Sequence, residues 1–435
     1  MDTAQRRAEL GEWLRIESVS SDGKHPDQLM AAARWVAALV GDARVIEGFG
    51  NPVVDGLIPA SREGAPTVIA YGHYDVQAPG PLELWDSPPF EPSERDGWLY
   101  ARGVSDDKGN FHALLRAALD LAEAGELPVT VRVLADGEEE VGGHSVLDYL
   151  DTLDDRFDAA VIFDSHIVGE GTPAITNALR GLVGFQVRLV SNAKELHSGM
   201  MGGVAANAVD DLISTLSAVI GHESAFAEGI APVTDDERAG WATLPSGADE
   251  LATAGGTPAD DRATAEFYER TWAQPSLTVH SISAGDPSLH KTSISPEARA
   301  SLSLRLAPGQ APLPIQAELE RRLRAACPAH ATLQLDAWPP GSPAYISPEE
   351  PVIVAAMAAM ERATGVAPVT VRSGGSIPIM ANLIARGTPT ILSGFGSVED
   401  QIHSPNERMQ LRNLDWAYDS AREIYLEMGR VLAVR

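Results

Sequence analysis

Cysteine is almost missing from these 435 residues: Cys327 stands alone. No intrachain disulfide can form and thiolate zinc clusters are excluded, so Cys327 reads as a small core residue on a helix. Basic residues are scarce, 33 Lys and Arg against 61 Asp and Glu, which leaves a formal charge of −28. That balance argues against nucleic acid and anionic membrane surfaces as partners, and it suits the attraction of divalent cations. Apolar runs of membrane-spanning length are absent. Met1 to Gly11 is charged and lacks an apolar segment, so no secretory signal is visible and a cytoplasmic setting is expected. No internal repeat is visible either.

Hydrophobic residues at 44% suit a soluble globular chain, and the length exceeds one ordinary core, so two domains are expected. The organising stretch is Gly103-Val104-Ser105-Asp106-Asp107-Lys108-Gly109. Before it, Arg95-Asp96-Gly97 signals a hairpin turn leading into the strand-like Trp98 to Arg102. After it, Phe111, Leu114, Leu115, Ala118, Leu119 and Ala122 recur at helical spacing over Asn110 to Glu123. Two adjacent carboxylates thus sit in a Gly-flanked turn. On its own such a pair is most simply a helix cap.

Company alters that reading. Thr67 to Tyr71 is a buried-strand run that delivers His73 and Asp75, two positions apart and therefore on one face of extended backbone. Val129 to Ala135 ends at Asp136-Gly137-Glu138-Glu139-Glu140, and Ala159 to Phe163 ends at Asp164. Pro389 to Ser393 leads through Gly394 and Gly396 to His403. Helical patterns separate the runs (Asn110 to Glu123, Ser145 to Leu153), which predicts a parallel sheet with crossover helices in an α/β fold. Sites in such sheets form beyond the carboxyl ends of the strands, and all four clusters lie there. Helices are also expected over Thr3 to Arg15 and Asp27 to Val40.

From Gly184 the pattern changes to β-α-β-β-α-β: Phe185 to Leu189, Ala205 to Ile220, Ser276 to Ile282, Arg299 to Leu306, Pro314 to Ala326 and Ala331 to Trp338. That order is the ferredoxin-like α+β motif. It predicts an inserted domain over 181–340, flanked by the two parts of a metal-binding catalytic domain, 1–180 and 341–435. The polar region from His222 to Gln274 reads as a loop and helix excursion within the insert.

Two metal ions about 3.5–4 Å apart need a bridging carboxylate with His or carboxylate neighbours. Oxygen and imidazole donors without thiolate suit zinc, manganese or cobalt. Such a pair activates water and polarises a carbonyl, while a free carboxylate moves the proton; the Glu138-Glu139-Glu140 run offers a candidate base beside a candidate ligand. Singly, a His-x-Asp is a hydrogen-bonded pair, a Glu triplet a solvated face, and His403 an exposed loop residue. Their joint placement at strand ends favours metal.

These residues resemble the dinuclear zinc peptidases that include glutamate carboxypeptidases, succinyl-diaminopimelate desuccinylase and carnosinase-type dipeptidases. The resemblance rests on Tyr71-Gly72-His73-Tyr74-Asp75-Val76-Gln77, Trp85-Asp86-Ser87-Pro88-Pro89-Phe90, Arg102 to Gly109, and Glu139-Glu140-Val141-Gly142. Leu196-His197-Ser198-Gly199, Gly374-Gly375-Ser376-Ile377-Pro378 and His403-Ser404-Pro405-Asn406-Glu407 complete it. The Trp85 to Phe90 segment and the length point to the carnosinase-like branch. The resemblance implies a dipeptidase acting on small peptides with a free C-terminal carboxylate, with an N-acyl amino acid deacylase as the alternative. It implies two divalent ions, zinc foremost, with Asp106 bridging, His73 and Asp164 completing one ion, and Glu140 and His403 the other. Glu139 would be the general base, Asp75 would orient His73, and the Asp106–Asp107 peptide would be cis. It further implies a homodimer in which His197 stabilises the oxyanion in the partner's site, and substrate contacts from Arg305, Thr292 and Ser376.

Overall fold

The computed structural model describes residues 1–169, 171–285, 288–375 and 377–434. The chain forms two compact units: Met1–Asn177, Ile346–Val371 and Asn382–Arg435 make the first, and Ala178–Tyr345 with Arg372–Ala381 the second. Arg372–Ala381, expected with the C-terminal part of the first domain, groups with the second unit. The reason is visible at Arg372, a buried side chain that donates to both carboxylate oxygens of Glu237 (2.8 and 2.9 Å) and to the Pro232 carbonyl at 2.6 Å.

The first unit is built on a six-stranded sheet in the order Ala43–Ile46, Val53–Ile58, Thr130–Asp136, Thr67–His73, Ala159–Phe163, Thr390–Ser393. The last four strands pair in parallel, and they are the four apolar runs of the sequence. The first two form an antiparallel edge that the sequence reading did not anticipate. Burial on both faces explains why the central strands carry unbroken Val, Ile, Ala and Leu rather than an alternating pattern. Helix Lys108–Glu123 lies on the sheet with twelve buried residues. Its first turn approaches so closely that a Cβ on Gly72 would stand 2.3 Å from the Phe111 ring, so only glycine fits there. The expected hairpin is present as Ser93–Arg95 paired with Trp98–Tyr100, turning through Asp96 and Gly97 at positive φ.

The second unit contains a four-stranded antiparallel sheet in the order Ser276–Ser283, Glu297–Leu306, Gly181–Val190, Thr332–Ala337. Helices Ala208–Ser217 and Pro312–Ala326 complete the expected ferredoxin-like succession. Val183, Phe185, Val187 and Leu189 meet Leu302, Leu304, Leu319 and Leu323 in one core. The excursion holds helices Asp235–Trp241 and Gly247–Thr253.

One buried carboxylate fixes the Gly103–Asp106 turn of the first unit. Glu407 is fully buried; it accepts the backbone N–H groups of Gly103 (2.9 Å), Ser105 (3.0 Å) and Asp106 (3.2 Å), and pairs with the buried Arg102 at 2.5 Å. Removing one partner of such a pair leaves an uncompensated charge in the interior. Glu407→Ala is therefore expected to cost about 3–5 kcal/mol of stability, read from the urea midpoint; a loss below about 1 kcal/mol would contradict this role for the residue.

Candidate metal centre

The strand ends converge as their order in the sheet requires. His73 is the last residue of its strand and sits in register with Asp136 on the neighbouring strand. Asp164 follows Phe163 on the other side. The loop after Ser393 brings back His403, whose φ of 61° is a backbone conformation that residues other than glycine seldom adopt. Gln401 and Asn406 in the same loop share that region, at 57° and 64°.

Asp106 stands between the two histidines. His73 Nε2 lies 2.9 Å from its Oδ1, and His403 Nε2 lies 2.9 Å from its Oδ2 and 3.0 Å from Glu140 Oε2. Two triads result, His73/Asp106/Asp164 and Asp106/Glu140/His403, and within each the candidate ligand atoms lie within 4.8 Å of one another. The donors are imidazole nitrogens and carboxylate oxygens only, a set that fits a divalent cation in each triad. Asp106 and Asp107 are joined by a cis peptide bond, as the resemblance implied. Asp107 occupies the N-cap position of helix Lys108–Glu123, yet its side chain makes no capping bond. Its carboxylate instead accepts the His73 N–H at 3.3 Å, so capping is not what this carboxylate pair does.

Several residues orient these side chains. His73 Nδ1 donates to the Asp75 carbonyl at 3.0 Å and lies 3.4 Å from the Asp75 carboxylate. That carboxylate accepts the Ser20 hydroxyl (2.6 Å) and the Glu140 N–H (3.2 Å). Gln77 donates from its backbone to Glu140 Oε1 and from its side chain to Oε2, at 3.2 and 3.1 Å. Asp400 accepts the Ser105 hydroxyl at 2.5 Å, and Asn110 joins the Ser105 carbonyl (2.8 Å) to the Phe395 N–H (3.0 Å). Sequence reasoning gave none of Ser20, Gln77, Asn110, Asp400 and Glu407 a role. Gln77 and Glu407 stood inside the motif segments, which was the available signal; Ser20 offered none.

The three consecutive glutamates separate by use. Glu138 turns to the backbone, accepting the N–H groups of Asn51 (2.9 Å), His144 (2.8 Å) and Ser145 (2.9 Å). Glu140 faces His403. Glu139 is half-buried; burial, with help from Asp164, Asp106 and Glu140 against the opposing charge of His73, pushes its pKa up to about 8. Burial also raises Asp164 to about 6. For Asp106, burial would raise the pKa, but the hydrogen bonds from His403 and His73 hold it well below the usual carboxylate range. His403 is raised to about 10 by its bonds to Asp106 and Glu140, and His73 is raised as well, burial being outweighed by Asp106 and Asp75.

The remaining expected contacts belong to the second unit. His197 caps the short helix Ser198–Met201, its Nδ1 accepting the Gly199 N–H at 3.1 Å. Thr292 is exposed, and its carbonyl accepts the Ser198 N–H at 3.0 Å. Arg305 lies on the sheet face opposite the core leucines Leu302, Leu304 and Leu306. Ser376 lies outside the described residues.

The carboxylates beside them raise the pKa values of both imidazoles, so a cation that binds them displaces protons. Zinc uptake is expected to release protons, and the apparent affinity to rise by about tenfold per pH unit for each proton displaced, from pH 6 toward 8. Calorimetry in two buffers of different ionisation enthalpy measures the release. Binding that releases no protons would contradict the site.

The sequence pattern of Peptidase family M20/M25/M40 matches residues 69–427. A cysteinylglycine-S-conjugate dipeptidase of Corynebacterium striatum is 28% identical over 457 residues, covering 97% of this chain and 95% of its own. A Beta-Ala-His dipeptidase of Mus musculus is 27% identical over 462 residues, with 97% and 92% covered. The structure of an M20 family metallo-carboxypeptidase from Sulfolobus solfataricus is similar with a TM-score of 0.82 at 25% identity, over 99% of this chain and 100% of that one. A match across most of the sequence shows that this chain belongs to peptidase family M20/M25/M40.

Proposed function

We propose that the chain is a metal-dependent dipeptidase that hydrolyses the amide bond of small peptides bearing a free C-terminal carboxylate. One observation carries the reading: two His and carboxylate triads share Asp106 at the carboxyl ends of parallel strands, with Glu139 beside them. The names of the similar proteins, dipeptidases in both curated cases, support peptides over N-acyl amino acids as substrates. Among the described residues no helix is long and apolar enough to cross a membrane.

His73, Asp106 and Asp164 would hold one ion, and Asp106, Glu140 and His403 the other. Zinc is the proposed metal, with manganese or cobalt suited to the same donors. When bound, such a pair acidifies water and withdraws charge from a carbonyl oxygen. Glu139 accepts a proton from the attacking water and returns it to the amine nitrogen as the C–N bond breaks. Glu139, half-buried beside the carboxylates of both triads, is placed to serve both halves of that transfer. Asp75 holds the His73 ring through Nδ1 and so keeps Nε2 turned to Asp106. Arg305 is proposed to bind the substrate carboxylate, with Thr292 and Ser376 adding contacts. His197 is proposed to stabilise the oxyanion in the partner of a homodimer.

Glu139→Ala is expected to keep its metal and lose at least about 100-fold in kcat on a dipeptide panel, with N-acetyl and N-succinyl amino acids as poor substrates throughout. Mixed heterodimers of Glu139→Ala and His197→Ala subunits should regain part of the activity that each homodimer lacks. Undiminished hydrolysis by the metal-loaded Glu139→Ala protein would remove Glu139 as the base. Verified heterodimers without recovery would remove the trans role of His197.

A further inference from the structure

We propose that Arg180 is a positioning residue for the substrate's free carboxylate, a buried cation set beside Arg305 that adds to its attraction for the anion. The inference rests on the reading of Arg305 given above and adds a residue to it.

Arg180 directly precedes strand Gly181–Val190 and is only 5% exposed. Its guanidinium is fixed by several acceptors. Nη1 donates to the Thr271 carbonyl at 2.6 Å and more weakly to that of Arg270 at 3.4 Å, and Nη2 donates to the Ser276 hydroxyl. Ser276 is the residue directly opposite Arg305 in the neighbouring strand, and Leu182, two residues after Arg180, is opposite Arg305 on its other side. Strand register therefore places the two arginines at one end of the sheet. Their proximity registers electrostatically: burial first, and then the charge of Arg305, lowers the Arg180 pKa to about 10.

The Arg180 backbone N–H donates to the Ser373 carbonyl at 3.2 Å, which ties the same point to the segment leading into Gly374 and Gly375. Arg372, just before Ser373, is locked to Glu237, so this anchor is itself held. Arg180, Arg305 and the Ser373–Gly375 turn thus meet at one corner of the second unit. Two like charges held side by side raise each other's energy, and an anion brought to them lowers it, the more so where water is partly excluded. Fixed acceptors hold Arg180 in place before substrate arrives, so little side-chain ordering is needed on binding.

The test is steady-state kinetics on one dipeptide and on its C-terminal amide, for the wild type, Arg180→Gln, Arg180→Lys and Arg305→Gln. The acid-to-amide ratio of kcat/KM is the readout, because it does not depend on the fraction of protein that is folded. The wild type should prefer the free acid. Arg180→Gln should lower the ratio about tenfold, chiefly through KM for the acid, while Arg180→Lys, which keeps the charge, should stay within about threefold of the wild type. A ratio unchanged in Arg180→Gln, with the wild type selective and Arg305→Gln impaired, overturns the proposal. Should Arg180→Gln fail to fold, a tenfold fall in Arg180→Lys overturns it, since the charge is then present and ineffective. A wild type indifferent to the carboxylate would instead sink the reading of Arg305, and this inference with it.

Discussion

A single carboxylate facing two imidazoles sets the terms for the first unit. Asp106 can lie within 2.9 Å of both His73 and His403 only because its turn is held from behind, by Glu407 on three backbone N–H groups and by the Arg102 pair. The turn is also pressed close to the sheet, where Gly72 leaves room for Phe111. Each of these supports is a buried polar contact whose loss leaves a partner unsatisfied, which makes the arrangement stiff as well as specific. The carboxylates that face the two imidazoles, Asp106 with Asp75 on one side and with Glu140 on the other, raise both their pKa values.

Much of this was legible in the sequence because the four central strands are buried on both faces and so appear as short unbroken apolar runs. Counting to the end of each run leads directly to His73, to the glutamate triplet and to Asp164. The antiparallel edge, Ala43–Ile46 and Val53–Ile58, was not legible: it is brief and its outer strand is only half-buried, so no strong period marks it. The roles of Ser20 and Asp400 were hidden for another reason. They act on backbone groups and side chains distant in sequence, and no local spacing encodes such contacts. The left-handed backbone at His403 is hidden likewise, since histidine gives no signal that it will adopt it.

Segment membership tells a similar story. The compact units change at Tyr345 and Ile346. That Arg372–Ala381 belongs with the second unit depends on Arg372 meeting Glu237, a pair 135 residues apart in the chain. Within that unit, Arg305 alternates with the core residues Leu302, Leu304 and Leu306 and so takes the opposite face of its strand. The presence of Arg180 beside it needed strand register, which single-sequence patterns do not supply.

The most direct test of the shared-carboxylate claim is metal stoichiometry in Asp106→Asn, with circular dichroism to verify the fold. Wild-type protein is expected to bind two divalent ions per chain, and Asp106→Asn to hold neither at concentrations that saturate the wild type. Retention of two ions by a correctly folded Asp106→Asn protein would contradict it.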